Sequence, residues 1–291
     1  MDGEFSASRG PVRAGAHLLT MATSSIKREI LRELSDRPMR WGGSREARIT
    51  PAGREMLFVA FVAELWLQNA PAGPLPFDSD DGARAVTALV DGWSSTIVHA
   101  LAAQPLTLRE LERAVECLSR RALKRRLLTM QRAGQVEARP SDGEGAIYAA
   151  TDWLRAGIAP IATAARLERR NPTEEMAPIA PLDVEAGFLL TLPLVELPSE
   201  LSGSCRLGVE LDEGGRSRIA GATARVEAGR VTVCAARLDD RADAWAIAPA
   251  DDWLDTVIEP DAKRVRSGGD RRLARALLDG LHRALFGIPV R

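Results

Sequence analysis

Apolar positions recur at helical spacing as far as about residue 170, and beyond Leu182 many runs alternate instead. Over 23–35, Ile26, Ile30 and Leu34 share one face, Ser24 or Ser25 can cap the helix, and Asp36-Arg37-Pro38 ends it. Trp41-Gly42-Gly43 reads as a tight turn and Glu46–Ile49 as a short strand. Thr50 then caps a helix with Pro51 in its first turn. From Arg54 to Gln68 this helix is apolar nearly all round, so it needs another element over it, expected to be a second subunit. Ala70–Ser79 is a Pro/Gly-rich linker. Ala83–Ala103 is helical, with Gly92 as a break point and Trp93, Ile97 and Leu101 on its inner face.

The next stretch is the best defined. Thr107 caps a short helix, Leu108–Val115, with Glu110 in the capping-box position. Glu116-Cys117-Leu118 is a turn. Ser119 caps a second helix that runs to about Arg132 and is stopped by Gly134. Gln135–Arg139 and Ala146–Ala149 are extended, joined at a hairpin tip over 141–145. Thr151 caps a helix from Asp152 to Arg170, interrupted near Pro160. Asn171–Pro181 is a second linker. Leu189–Leu194 is apolar, while Ser204–Glu210, Ala222–Val226 and Val231–Leu238 alternate; these runs read as antiparallel strands of an α+β region. Asp251–Glu259 and Leu273–Phe286 are helices, the latter with Leu273, Leu277, Leu281 and Leu285 on one stripe.

One frame occurs twice. Ile30-Leu31-Arg32-Glu33-Leu34 before Pro38 and Thr50-Pro51-Ala52-Gly53-Arg54 after it repeat the flanks of the segment from Pro105 to Thr151. That segment spans 46 positions in the second copy and 12 in the first. The 34 missing positions match two short helices, a turn and a strand, so only the second copy can present a recognition helix.

Charge sharpens this. The formal net charge of −1 hides a basic module: residues 106–139 hold nine Lys or Arg against four Asp or Glu. Within Ser119–Arg132, Leu123, Leu127 and Met130 face inward, and the basic residues fall on other faces. Arg121, Lys124 and Arg125 are candidate base-edge or phosphate donors in a major groove, Arg120 and Arg126 suit flanking phosphates, and Thr107 and Ser119 suit the backbone at helix N-termini. Arg139 is the base near the hairpin tip, where Asp142 and Glu144 would repel phosphate. An Arg-rich helix alone is as readily a solvated face; here a short helix, turn, basic helix and hairpin follow in order.

Gly92 to Arg170 resembles the winged helix-turn-helix of bacterial HxlR-type, MarR-like regulators. The positions that carry the resemblance are Trp93, Pro105, Leu106, Leu108, Leu111, Leu118, Ser119, Leu123, Leu127, Gly134, Val136, Glu137, Arg139, Tyr148, Thr151 and Arg155. It implies a homodimer on two-fold double-stranded DNA, with terminal helices in the dimer contact. Residues 183–287 resemble a sterol-carrier-protein-2-like domain through Ala242-Asp243-Ala244-Trp245, the helix around Trp253–Ile258, and Gly268-Gly269-Asp270 before the last helix. That resemblance implies an apolar tunnel between sheet and helices for a small hydrophobic ligand, with Leu254, Val257, Ile258, Leu277, Leu278 and Leu281 as candidate lining, although each taken singly is more readily an ordinary core residue.

The expected fold class is therefore multidomain: mostly α winged-helix modules followed by an α+β sterol-carrier-like domain. The expected units are a flexible tail at 1–21, a truncated winged-helix-like module at 22–78, a complete winged helix-turn-helix at 80–172, and the α+β domain at 182–291. The tail lacks an apolar signal core, and Met21 serves equally as the start of the folded region. No membrane span is expected. Cys117, Cys205 and Cys234 lack metal-like spacing, and three unpaired thiols fit a reducing cytoplasm; Cys117 is expected to be a buried, inert thiol. His17, His99 and His282 are scattered, with His282 expected on the exposed side of its helix, and no Gly-Gly pair has the lysine or spacing of a phosphate loop. No enzyme activity, cofactor or metal is expected. The chain reads as a DNA-binding transcriptional regulator responsive to a hydrophobic ligand. The alternative is a ligand-binding or protein-interaction scaffold, derived from a regulator, that no longer reads DNA.

Overall fold

The computed structural model describes residues 51–140, 145–172, 178–212, 215–260 and 264–287. The expected tail, the helix at 23–35, the turn and strand before Thr50, Thr50 itself, His17, Asp142 and Glu144 lie outside them. The chain has a mixed α/β architecture, with a mostly helical region first and an α+β region after it.

Among the described residues the helical region opens with α1 (Pro51–Gln68), α2 (Asp80–Ser94) and α3 (Ile97–Ala103). β1 (Leu106–Thr107), α4 (Leu108–Ala114) and α5 (Arg120–Arg132) follow, then β2 (Val136–Pro140) and β3 (Ala146–Ala150). The three strands form one antiparallel sheet in the order β1-β3-β2, with Leu106 opposite Tyr148 and Ala138 opposite Tyr148 from the other side. Local chemistry fixes the helix ends. The Thr107 and Glu110 capping box starts α4, the Ser119 hydroxyl accepts from the Ala122 N–H at 3.3 Å, and Gly134 leaves α5 at φ 78°. Leu123, Leu127 and Met130 are buried on the inner face of α5.

α6 (Asp152–Ala156) and α7 (Ile158–Arg170) close this region. The break lies at Gly157 rather than Pro160. Pro160 sits in the first turn of α7, where a missing N–H breaks no intrahelical bond. The preceding break also moves: it falls at Ser95 and Thr96, where Thr96 takes φ 60°, and Gly92 stays helical. A Cβ on Gly92 would stand 2.7 Å from the Met130 Cε, so this glycine admits α5 rather than ending α2.

α1 packs on α7 within the same chain, burying Val59, Val62, Ala63, Trp66 and Leu67, while Leu57 and Phe61 remain exposed. The cover expected from a second subunit is thus partly supplied by the chain itself. Trp66 and Trp153 stack with centroids 4.4 Å apart, and each indole N–H donates to the other residue's carbonyl at 2.8 Å.

α8 (Pro181–Thr191) continues into a 3-10 turn at Leu192–Leu194, so the apolar run Leu189–Leu194 is helical, not extended. Its apolar residues need two opposed surfaces: Ala186, Leu189 and Leu190 join the core of the helical region, and Phe188 and Leu192 join the second core. The α+β region then builds β4 (Gly203–Asp212), β5 (Ser217–Glu227), β6 (Arg230–Ala235), β7 (Ala244–Pro249), α9 (Ala250–Ile258), β8 (Arg266–Gly269) and α10 (Arg271–Phe286). The sheet order is β6-β5-β4-β7-β8. The alternating runs lie on β4, β5 and β6, which pair antiparallel as expected, while β7, outside those runs, lies parallel to β4 with Cys205 opposite Ala244. β7 begins within the Ala242–Trp245 motif and β8 ends on Gly268-Gly269, stretches that the sequence marks only as motifs because strands this short carry little periodicity.

The two regions are joined by charge. The Arg166 side chain on α7 is 5% exposed and pairs with Glu55 of α1 at 3.3 Å and Glu259 just beyond α9 at 2.8 Å. Arg170 bridges Glu55 and Asp255 at 2.6 Å each. Removing a buried guanidinium strands its carboxylates. Arg166→Met is expected to lower unfolding free energy by about 3 kcal/mol in urea titration, with part returned by adding Glu55→Gln. A loss below about 0.5 kcal/mol would show that Arg166 behaves as a surface residue.

Candidate functional site

Two features stand out: the outer face of α5 and an apolar cavity between the two regions. On α5, Arg121, Lys124 and Arg125 are exposed and make no ion pair with another described residue. Arg126 is half-buried. Arg120 is exposed but lies 2.9 Å from the Glu112 carboxylate of α4, without hydrogen-bond alignment. Arg139, on β2, pairs with Glu137 of the same strand. Thr107 and Ser119 spend their hydroxyls on caps: Thr107 accepts from the Glu110 N–H and donates to the Glu110 carboxylate at 2.8 Å. The backbone and side-chain hydrogen bonds from Thr107 hold the Glu110 carboxyl below its usual range. Three of the eight sequence-selected residues therefore form an unpaired cationic face, and the other five are half-buried, paired or capping.

Cys117, in the turn before α5, is exposed rather than buried, because the turn faces outward. Cys205 and Cys234 are the enclosed thiols, and burial pushes them up to about 12 and about 11. His282 is half-buried, not exposed, since its Nδ1 lies 2.9 Å from the Val257 carbonyl. Among the described residues no cluster of His, Cys, Asp and Glu could hold a metal, and no helix is long and apolar enough to cross a membrane.

The cavity has a volume of about 190 Å³. Val90 and Trp93 of α2 form one side of it. α7 contributes Ile158, Ile161, Ala165 and Glu168, and α8 contributes Asp183, Val184, Gly187 and Phe188. Trp253, Leu254 and Val257 of α9 and Leu281 and Leu285 of α10 complete the wall. Of the six residues selected from sequence, Leu254, Val257 and Leu281 line this cavity. Ile258, Leu277 and Leu278 are buried but not in its wall, because the faces of α9 and α10 that carry them are spent on the core. The cavity is not enclosed by the α+β region alone; α2 and α7 supply much of it.

Few polar groups reach this wall. Asp183 is occupied: Oδ1 lies 2.8 Å from His99 Nε2 and Oδ2 accepts from the Ala180 N–H at 3.2 Å. His99, on α3, packs against Trp93 at 4.3 Å between ring centroids. Arg169 is paired with Asp251 outside α7. The Trp93 Nε1 and the Glu168 Oε1 are buried without a hydrogen-bond partner. Burial raises the Glu168 carboxyl to about 7. Sequence reasoning missed Glu168, yet it carried a signal: Ile158, Ile161, Ala165 and Glu168 share one helical stripe, so a carboxylate ends an apolar face. Gly187 is the second missed signal, a mid-helix glycine whose added Cβ would meet nothing within 4 Å.

No family model, curated protein or solved structure matches this chain.

A carboxyl raised by burial makes folding pH-dependent. From about pH 4.5 to 7 the folded state keeps a proton on Glu168 that the unfolded chain has released, so this group removes stability as pH rises through that window. Glu168→Gln is expected to gain stability over the parent progressively from pH 4.5 to 7 and to hold that gain above it. Urea midpoints of the two proteins across this range check it; parallel curves would mean that the carboxyl is not desolvated.

Proposed function

We propose that this chain is a DNA-binding transcriptional regulator in which the cavity between the two regions takes a small hydrophobic ligand. The observation that carries the reading is the face of α5. It is a capped helix with Leu123, Leu127 and Met130 anchored inward and Arg121, Lys124 and Arg125 unpaired outward, behind a short helix and turn and before a two-stranded hairpin. That order, with a third strand from β1, supports a winged helix-turn-helix in which α5 enters the major groove and its cations meet phosphates or base edges. In the second region, a five-stranded sheet in the order β6-β5-β4-β7-β8 with α9 and α10 supports the sterol-carrier-like reading.

The contact between α2 and α5 gives the two sites a physical connection. Trp93 lines the cavity, and the adjacent Gly92 lets Met130 of α5 pack directly on α2. A ligand that shifts α2 would move the base of the recognition helix. The coupling needs differential affinity of the ligand for two arrangements of that contact. A homodimer, with the exposed Leu57 and Phe61 of α1 in its contact, would supply the second reading head.

The rival scaffold reading draws on the pairing of Arg120 and Arg139 with neighbouring acids, which lowers the charge left for phosphate. Fluorescence anisotropy on the duplex upstream of the chain's own coding region separates the two. Binding is expected to weaken with salt at a log–log slope of about −0.9 per phosphate contact, and Arg121→Ala with Arg125→Ala is expected to make the slope shallower by about 2. Binding that ignores both salt and the double substitution would favour the scaffold.

A further inference from the structure

The cavity has an apolar wall in which a single carboxylate oxygen is left without a partner. Ile161, Val184 and Val257 give its apolar body, and Phe188 and Trp253 add aromatic rings that meet edge to face at 5.2 Å. Buried polar atoms are almost always hydrogen-bonded, so an orphan in a cavity wall marks a group that expects something there. The Glu168 Oε1 is such an orphan. The other charged residues in the wall are already engaged: Asp183 by His99 and the Ala180 N–H, Arg169 by Asp251. Among the described residues, the wall therefore has one unmatched acidic group, the unmatched indole N–H of Trp93 and no unmatched cation.

That imbalance selects ligand chemistry. A carboxylate ligand could accept from the Trp93 N–H but would find no free cation and would face Glu168. A neutral apolar ligand would leave Oε1 unsatisfied. A protonated amine would pair with the Glu168 carboxylate, and an ionised pair of this kind is the stronger class of hydrogen bond.

We propose that this cavity binds a hydrophobic amine, with the apolar body among Ile161, Val184, Phe188 and Val257 and the ammonium pairing with the Glu168 carboxylate. The volume of about 190 Å³ suits a ring-sized apolar body. Gly187 belongs to the same device. An alanine there would favour the helix, yet the glycine leaves open space on the face of α8 that lines the cavity. This proposal rests on the reading of the cavity as a ligand site and is independent of DNA binding.

Calorimetric titration of the full chain at about pH 8 tests it with three matched probes: phenylbutylamine, phenylbutanol and phenylbutyrate. At this pH the amine is protonated and Glu168 is largely ionised. The amine is expected to bind about ten-fold tighter than the alcohol, with the carboxylate weakest. In Glu168→Gln the amine should fall to the level of the alcohol while the alcohol is unchanged, which also reports that the cavity is intact. Gly187→Leu should abolish binding of all three by filling the space, with the fold checked by thermal melting. Equal affinity for amine and alcohol, or an amine preference that survives Glu168→Gln, overturns the amine assignment while leaving a ligand cavity. No binding of any probe overturns both.

Discussion

A buried guanidinium cannot stand without acids around it, and Arg166 makes that requirement organise the whole chain. Its partners come from elements far apart in sequence, Glu55 on α1 and Glu259 beyond α9, and Arg170 and Arg264 extend the set through Asp255. The Phe58 ring of α1 lies 5.4 Å from the same guanidinium. Desolvation makes such a cluster a poor source of net stability but a strict source of geometry, because any displacement of α7 leaves a charge unmatched. The helical region and the α+β region are thus held in one relation. The Trp66 and Trp153 pair does the same for α1 and α6 with neutral groups, using two reciprocal hydrogen bonds and a stacked contact.

The cavity is a consequence of that seam. α7 and α8 run between two cores and cannot satisfy both perfectly. α8 divides its apolar residues between them, and where Gly187 offers no side chain the space stays open. Glu168 lies on the stripe of α7 that faces this gap, and burial there raises its carboxyl to about 7. Carboxyls perturbed by burial in a cleft cluster at functional sites. The seam also brings the cavity within one helix of α5, since α2 touches both through Trp93 and Gly92. The cavity and the basic face are thereby joined by a short packed path, and the proposed function needs such a path.

The parts legible in the sequence were those set by local chemistry. The capping box at Thr107 and Glu110, the Ser119 cap, the Gly134 stop and the inward stripe of Leu123, Leu127 and Met130 all appear where the residues require them. The helix breaks were misplaced for a physical reason. Gly92 and Pro160 are the residues with the weakest helical credentials, yet Met130 packing explains the first and a first-turn position excuses the second. The run Leu189–Leu194 was ambiguous because continuous apolar sequence fits a buried helix as well as a strand. Half of the predicted lining residues missed the cavity because periodicity says which residues are buried, not which core they are buried in.

The sequence by itself determined the capped starts of α4 and α5, the Gly134 stop, and the inner face and basic surface of α5, since these follow from residue spacing and from hydrogen bonds between near neighbours. Only the tertiary structure decided the parallel pairing of β4 with β7, the pairing of α1 with α7, and the meeting of α2, α7, α8, α9 and α10 around one space. Those features depend on contacts between residues tens to hundreds of positions apart, and no local pattern encodes which distant surfaces will close on each other. Glu168 shows the division plainly. Its place on an apolar stripe is written in the chain, but its burial and its lack of a partner exist only once two regions fold together.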